Sequence, residues 1–402
     1  MIEKITPLVH SPIIENLQPV IKQVVDAITH AILEKRPILI RHHADTDGYA
    51  GALALQQAIM PLLYKAHTRE RDMRYYYTRT PTLSPYYANE DGFRDVTNFI
   101  KNTQQFQHQQ PLIILCDFGT SKQSFLAIQL VKLYGAKVII IDHHIPDKEI
   151  EIAADVIVNP RLVGSDYDYC TGMLCAEIAH LLNPKAQYLE FLAAVAGYSD
   201  KVQGKEFDDF VALCNQQEIT MDEIKEIGIC LDYIGYELGN RESNELIMDL
   251  FTHGTEKQKE LIKIIGKYVE ERMKIQMETN LMYSNVIHFP DKIYVLLDLE
   301  KAKKQSIYPR RGKCVGILHD YMQQSNKLHV VTVGYSTDAM TFRCSTEIKD
   351  FSIDKIIDLL QDKLPGAQVE GGGHRVAGSI SFISAAFEDV KRIVDEYVEM
   401  VK

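Results

Sequence analysis

The chain of 402 residues has no tryptophan, and no apolar run approaches the ~20 residues needed to cross a bilayer. Its seven cysteines are odd in number, widely scattered and without a CxxC pair. That pattern argues against a disulfide framework and makes reduced thiols in a cytoplasm the expectation. The opening stretch MIEKITPLVH lacks the basic and apolar regions of a secretory leader, which points the same way. Positive charge is also short: 44 Lys and Arg stand against 55 Asp and Glu, a net charge of −11. Taken alone, this argues against a protein that coats itself in nucleic acid. What remains is an ordinary globular composition, 46% hydrophobic and 25% charged, long enough for two or three domains.

The first third alternates strand and helix. Ile14, Leu17, Ile21, Val24, Val25, Ile28 and Ile32 recur at helical spacing. Three apolar runs too short for helices follow: PILIRHHAD, LIILCD (112–117) and KVIIIDHH (137–144). Helical stretches separate them, which predicts a parallel sheet covered on both faces. Ligands of such sheets sit beyond the carboxyl ends of the strands, where each of these runs ends in acid or histidine. From about Thr171 to Asn285 the pattern is helical, closing with a long charged helix near Lys257–Tyr283. After Pro290 alternation resumes, with strands at KIYVLLDL, KLHVVTVGY and MTFRCS and another after the glycine run 371–373. The expected architecture is α/β: residues 1–204 with an amino-terminal helix, a helical insert and connecting helix at 205–289, and a smaller α/β domain at 290–402.

Four clusters carry chemistry: His43-Ala44-Asp45-Thr46-Asp47-Gly48, Asp117, Asp142-His143-His144, and Asp200. An isolated DxDG is most often a helix-capping turn, and a single Asp at a strand end is usually a cap. Their joint occurrence at the ends of expected parallel strands changes the balance. Carboxylates gathered in one crevice repel one another unless a cation compensates. Mixed carboxylate and imidazole suit Mn²⁺ or Mg²⁺, with Co²⁺ or Zn²⁺ as alternatives, and two such ions can drive phosphoryl displacement.

HADTDG, CDFG, DHH and GYSD stand in the order of motifs I to IV of the DHH phosphoesterase superfamily, and GGGH at Gly371–His374 resembles the signature of the DHHA1 domain of its RecJ-like branch. The RHHADTDG form with its amino-terminal helix looks most like archaeal RecJ-type single-strand nucleases. The resemblance implies a DHH catalytic domain and a DHHA1 substrate-binding domain. It implies that His43 and Asp45 hold one metal, that Asp47 and His143 hold the other, that Asp117 bridges and that Asp200 completes the second site. Asp142 would orient the histidines, and His144 would face the substrate phosphate. Arg41 occupies the position, four before Asp45, where some family members carry the histidine of motif I. In the second domain Gly371, Gly372 and Gly373 would offer backbone N–H groups to a phosphate, with His374 and Arg343 also contacting substrate.

These roles lead to the expectation of a two-metal phosphodiesterase, with Mn²⁺ foremost. It would act as an exonuclease on single-stranded DNA, and on RNA, releasing nucleoside monophosphates in repair or replication. A phosphodiesterase of short oligonucleotides or of linear or cyclic dinucleotides is the alternative. A non-catalytic scaffold that binds a helicase ranks below both. A repair helicase, replication proteins or a second copy of the chain are the partners considered, and no membrane is expected. Basic segments at 301–313 and 65–79, the latter with Tyr75, Tyr76 and Tyr77 in a row, supply the candidate groove for a single strand.

Overall fold

The computed structural model describes residues 6–66, 73–165, 168–239, 241, 244–304 and 307–401. It divides into two units, Met1–Gly266 and Lys267–Lys402.

In the first unit, α1 (Pro12–Leu33) precedes β1 (Ile38–His43), α2 (Thr46–Ala66), α3 (Met73–Tyr76), β2 (Tyr77–Thr82) and α4 (Asn89–Phe106). Then come β3 (Leu112–Cys116), α5 (Phe125–Leu133), β4 (Lys137–Ile141), α6 (Lys148–Ala153) and β5 (Val156–Val158). The five strands are parallel, in the order β2-β1-β3-β4-β5. Alternation along each strand builds two cores. Ile38, Ile40, Ile114, Cys116, Ile139 and Ile141 enter a core on one face, while Ile113, Leu115, Val138 and Ile140 enter a core shared with α4 and α5 on the other. Helix α2 is buried on nearly all sides, which its Gly-Ala-Leu composition permits.

Five further helices complete this unit: α7 (Thr171–Leu182), α8 (Leu189–Ser199), α9 (Lys205–Gln216), α10 (Met221–Leu238) and α11 (Asn244–Phe251). The helices after residue 205 share the α2 core through Phe210, Ile224, Leu231 and Phe251. Helix α10 sits close because two of its residues are small: a β-carbon on Gly228 would meet Ser199, and one on Gly235 would meet Tyr49. Helix α12 (Glu256–Met282) carries the chain across the unit boundary.

The second unit continues with β6 (Ser284–His288), β7 (Lys292–Asp298), α13 (Leu299–Ala302), α14 (Arg311–Ser325), β8 (His329–Tyr335) and β9 (Ala339–Cys344). It ends with α15 (Ile353–Lys363), β10 (Glu370–His374), β11 (Ala377–Ser381) and α16 (Phe387–Met400). Its six strands run β10-β11-β9-β8-β7-β6, antiparallel except for β7 with β8. The strand expected after the glycine run is β11, and the run adds one that was not expected: it is itself strand β10. The reason is steric. A β-carbon on Gly371 would lie 2.4 Å from the Ser379 carbonyl oxygen, and one on Gly373, whose φ is +137°, 2.5 Å from that of Ala377. Among the described residues, no helix is long and apolar enough to cross a membrane.

Candidate metal centre

The sheet order places a topological switch between β1 and β3, and the acidic clusters gather at the carboxyl ends of these strands and β4. Asp117 follows β3 with φ +63°, while its N–H still donates to the Ile141 carbonyl. This left-handed backbone turns the side chain into the centre of the cluster. His43 Nδ1 lies 3.5 Å from Asp117 Oδ2, and His143 Nε2 lies 3.4 Å from Asp117 Oδ1. His143 also approaches Asp47, at 3.9 Å, and through Nδ1 Asp200, at 3.4 Å.

Each carboxylate is held differently. Asp45 accepts the Gly48 N–H at 3.0 Å, capping α2, and its other oxygen pairs with His43 Nδ1 at 2.7 Å. The bland reading of DxDG is therefore realised in Asp45 alongside its place in the cluster. Asp47 accepts the Thr171 and Gly172 N–H groups at 3.0 and 2.7 Å, so the amino terminus of α7 cradles it. Asp200 follows the last turn of α8. Asp142 receives the His143 and His144 N–H groups at 2.8 and 3.2 Å, pairs with His144 Nδ1 at 2.8 Å, and accepts from the Thr120 hydroxyl. Arg161 and Asn159 hold the carbonyls of His143 and His144 at 2.9 and 2.8 Å. Sequence reasoning missed Thr120, Asn159, Arg161, Thr171 and Gly172. They contribute mostly through backbone groups or at long separation, where residue type gives no signal.

The electrostatics are those of crowded anions. Burial, and then the neighbouring carboxylates, push Asp47 and Asp117 up to about 7. Burial and the charges of Asp47 and Asp117 do the same for Asp200, against the pull of His143. Burial opposes charge on His43 and His144, yet Asp45 raises the first and Asp142 the second to about 10. The same two carboxylates are held below their usual range by their histidines. Asp117 Oδ2 is buried and makes no hydrogen bond. An orphaned carboxylate oxygen among mixed oxygen and nitrogen donors fits a divalent cation, and His43, Asp45 and Asp117 form one group able to hold an ion. Asp117, Asp142, His143 and His144 form another.

Arg41, which stands where some family members carry the motif I histidine, turns away into a bidentate pair with Asp95, and the neighbouring His42 is buried edge-on to Tyr49. In the second unit, Arg343 lies on β9 opposite Ala377, beside Gly312 and Gly316 of α14, and Nη1 donates to the Phe342 carbonyl at 2.8 Å. His374 ends β10.

The basic segments are partly consumed internally. Arg79 and Tyr77 are buried, and Tyr75 and Tyr76 stack on Phe106 and His108. Lys303 is buried and donates to the carbonyls of Lys304 and Ile307. Lys301 pairs with Asp298 at 2.8 Å, and Lys313 donates to Tyr308 at 2.7 Å. Residues 67–72 and 305–306 of these segments lie outside the described residues.

Residues 37–198 match the family model for the DHH family, N-terminal domain. The chain is 30% identical to an uncharacterized protein of Methanocaldococcus jannaschii, over 98% of this chain and 55% of that protein. It thus spans about half the length of this curated relative. Among solved structures, it is similar to the DHH domain of a member of a family of ribosomal proteins: 29% identity, TM-score 0.95, 100% of this chain and 95% of that one. A structure of exonuclease RecJ bound to manganese shares the fold at 15% identity and TM-score 0.58, over 95% of this chain and 94% of that one.

Proposed function

We propose that the chain, whose residues 37–198 match the DHH family model and whose fold is shared with RecJ, is a divalent-metal-dependent phosphodiesterase of the DHH phosphoesterase superfamily, acting as an exonuclease on single-stranded DNA, and on RNA, with release of nucleoside monophosphates. The observation that carries this reading is Asp117: a buried carboxylate flanked by His43 on one side and His143 on the other, whose Oδ2 has only the 3.5 Å contact with His43 and no hydrogen bond. In this reading His43, Asp45 and Asp117 hold one cation, and Asp117, Asp47, His143 and Asp200 hold a second, with manganese foremost. Such ions supply a nucleophile from water at neutral pH and neutralise charge on the phosphoryl oxygens.

The chain's own residues do the rest. Asp142 fixes the His144 ring and favours its charged form against burial, and that form donates a hydrogen bond to a substrate phosphate oxygen in this reading. Thr120 in turn holds Asp142, and the α7 amides hold Asp47 against the repulsion of its neighbours. On the second unit, Arg343, Gly371, Gly372, Gly373 and His374 are the proposed contacts to the strand being cut.

One observation favours a second reading. The burial of Arg79 and the internal partners of Lys301, Lys303 and Lys313 leave less basic surface for a long strand, which suits a substrate of two to five nucleotides. A Mn²⁺ assay on 5′- and 3′-end-labelled single strands beside a dinucleotide tests both. Stepwise monophosphate release from long strands is expected, and activity confined to the dinucleotide selects the second reading. Hydrolysis unaffected by Asp117→Ala overturns the site assignment.

A further inference from the structure

Behind β1 lies a second charged cluster. Arg41 pairs with Asp95 through two contacts of 2.6 Å, both partners buried, and the Tyr87 hydroxyl donates to the same carboxylate at 2.6 Å. One turn earlier on α4, Asp91 lies 3.3 Å from Arg41 Nη1 and 3.1 Å from Arg94 Nη1. Two arginines balance two aspartates. A buried pair of this kind is weak evidence for stability, because desolvation offsets the Coulombic gain.

Its connections say more. Asp91 Oδ2 accepts the Thr82 hydroxyl at 2.7 Å, at the end of β2. The Thr82 carbonyl accepts the Ala44 N–H at 2.9 Å. Ala44 is the residue between His43 and Asp45. Helix α4 is itself tightly seated, since a β-carbon on Gly92 would touch Ala127 of α5 at 3.0 Å.

We propose that Arg41, Asp91, Asp95 and Thr82 are positioning residues for the metal centre. The α4 carboxylates fix Thr82, and Thr82 fixes the backbone of the turn that presents His43 and Asp45. None of the four supplies a donor to the cluster around Asp117. The inference rests on the metal-dependent reading above, and it gives Arg41 a task where some family members have a histidine.

Thr82→Val keeps the shape and removes only the hydroxyl, and Thr82→Ser restores it. The full chain, stripped of metal, is titrated with Mn²⁺ by calorimetry, with its melting temperature recorded. kcat and KM are then measured on bis(p-nitrophenyl) phosphate. Thr82→Val is expected to bind Mn²⁺ about tenfold more weakly, with a matching fall in kcat and little change in KM. Thr82→Ser is expected to return both to near the wild-type values. Wild-type Mn²⁺ affinity in Thr82→Val overturns the inference, whether or not the melting temperature falls. So does a Thr82→Ser protein that binds as weakly as Thr82→Val. A wild-type chain that takes up no Mn²⁺ overturns the metal-dependent reading itself, an outcome visible before any substitution is made.

Discussion

Gly48 packs so tightly on His43 that a β-carbon there would stand 2.3 Å from the His43 carbonyl oxygen, closer than side chains tolerate. The same residue donates its N–H to Asp45. Gly48→Ala must therefore move His43, Asp45 or both. Displacing catalytic groups by about 1 Å costs on the order of a hundredfold in rate. That loss is the expected result, with weaker Mn²⁺ binding, and steady-state kinetics beside calorimetry check it.

Asp117→Asn separates chemistry from stability. Hydrolysis should fall by roughly a thousandfold or more if the carboxylate holds the cations. Metal-free stability should not fall with it. Burial raises this carboxyl from 3.8 to about 7, so its charge costs stability as pH rises through that window. Thermal melting in chelator at pH 8 should place the variant at or above the wild type.

Glu177 on α7 accepts the N–H groups of Leu8 and Val9 at 2.8 and 2.9 Å, strapping the amino-terminal segment down. Burial raises its carboxyl from 4.5 to about 7, against the pull of those two N–H groups, and Glu190 adds to the rise. The folded state thus keeps the proton longer than the unfolded chain. Its contribution is most favourable below pH 4.5 and is lost as pH climbs to about 7, by roughly 3 kcal/mol at most. Glu177→Gln should flatten the fall in melting temperature across that interval, relative to wild type.

The glycine run offers a separation of its own. Gly371 and Gly373 are forced by their closeness to β11, whereas a β-carbon on Gly372 would meet nothing within 4 Å. Gly372→Ala should fold normally, while Gly371→Ala and Gly373→Ala should lower the melting temperature. If Gly372 lies against a substrate phosphate, its alanine variant should raise KM without changing the melt.

Strands β1, β3 and β4 could be read from the sequence because each is a near-continuous β-branched run ending in acid or histidine. Strand β2 could not: YTRTPT is polar, and its Pro81 is tolerable only because the strand lies at the sheet edge. β5 has three residues, too few for a pattern. Local spacing at Asp45, Asp47, Asp117 and the Asp142-His143-His144 run was enough to nominate them. The partners of Arg41 were invisible, since Asp91 and Asp95 lie about fifty residues away on a helix with no local sign of the pairing. The glycine run was legible as a motif but not as a strand, because its reason lies in the backbone opposite.

The donors around Asp117 arrive from four turns, after β1, β3, β4 and α8, and span positions 43 to 200. No short peptide of the chain can assemble them, so the unfolded polymer offers a cation nothing comparable. If these donors hold the proposed Mn²⁺, ion uptake and cooperative folding of the first unit are two readings of one equilibrium. The denaturation midpoint should climb with the logarithm of Mn²⁺ concentration once that exceeds the dissociation constant. The ion thereby becomes a reporter of how much of the population is fully folded.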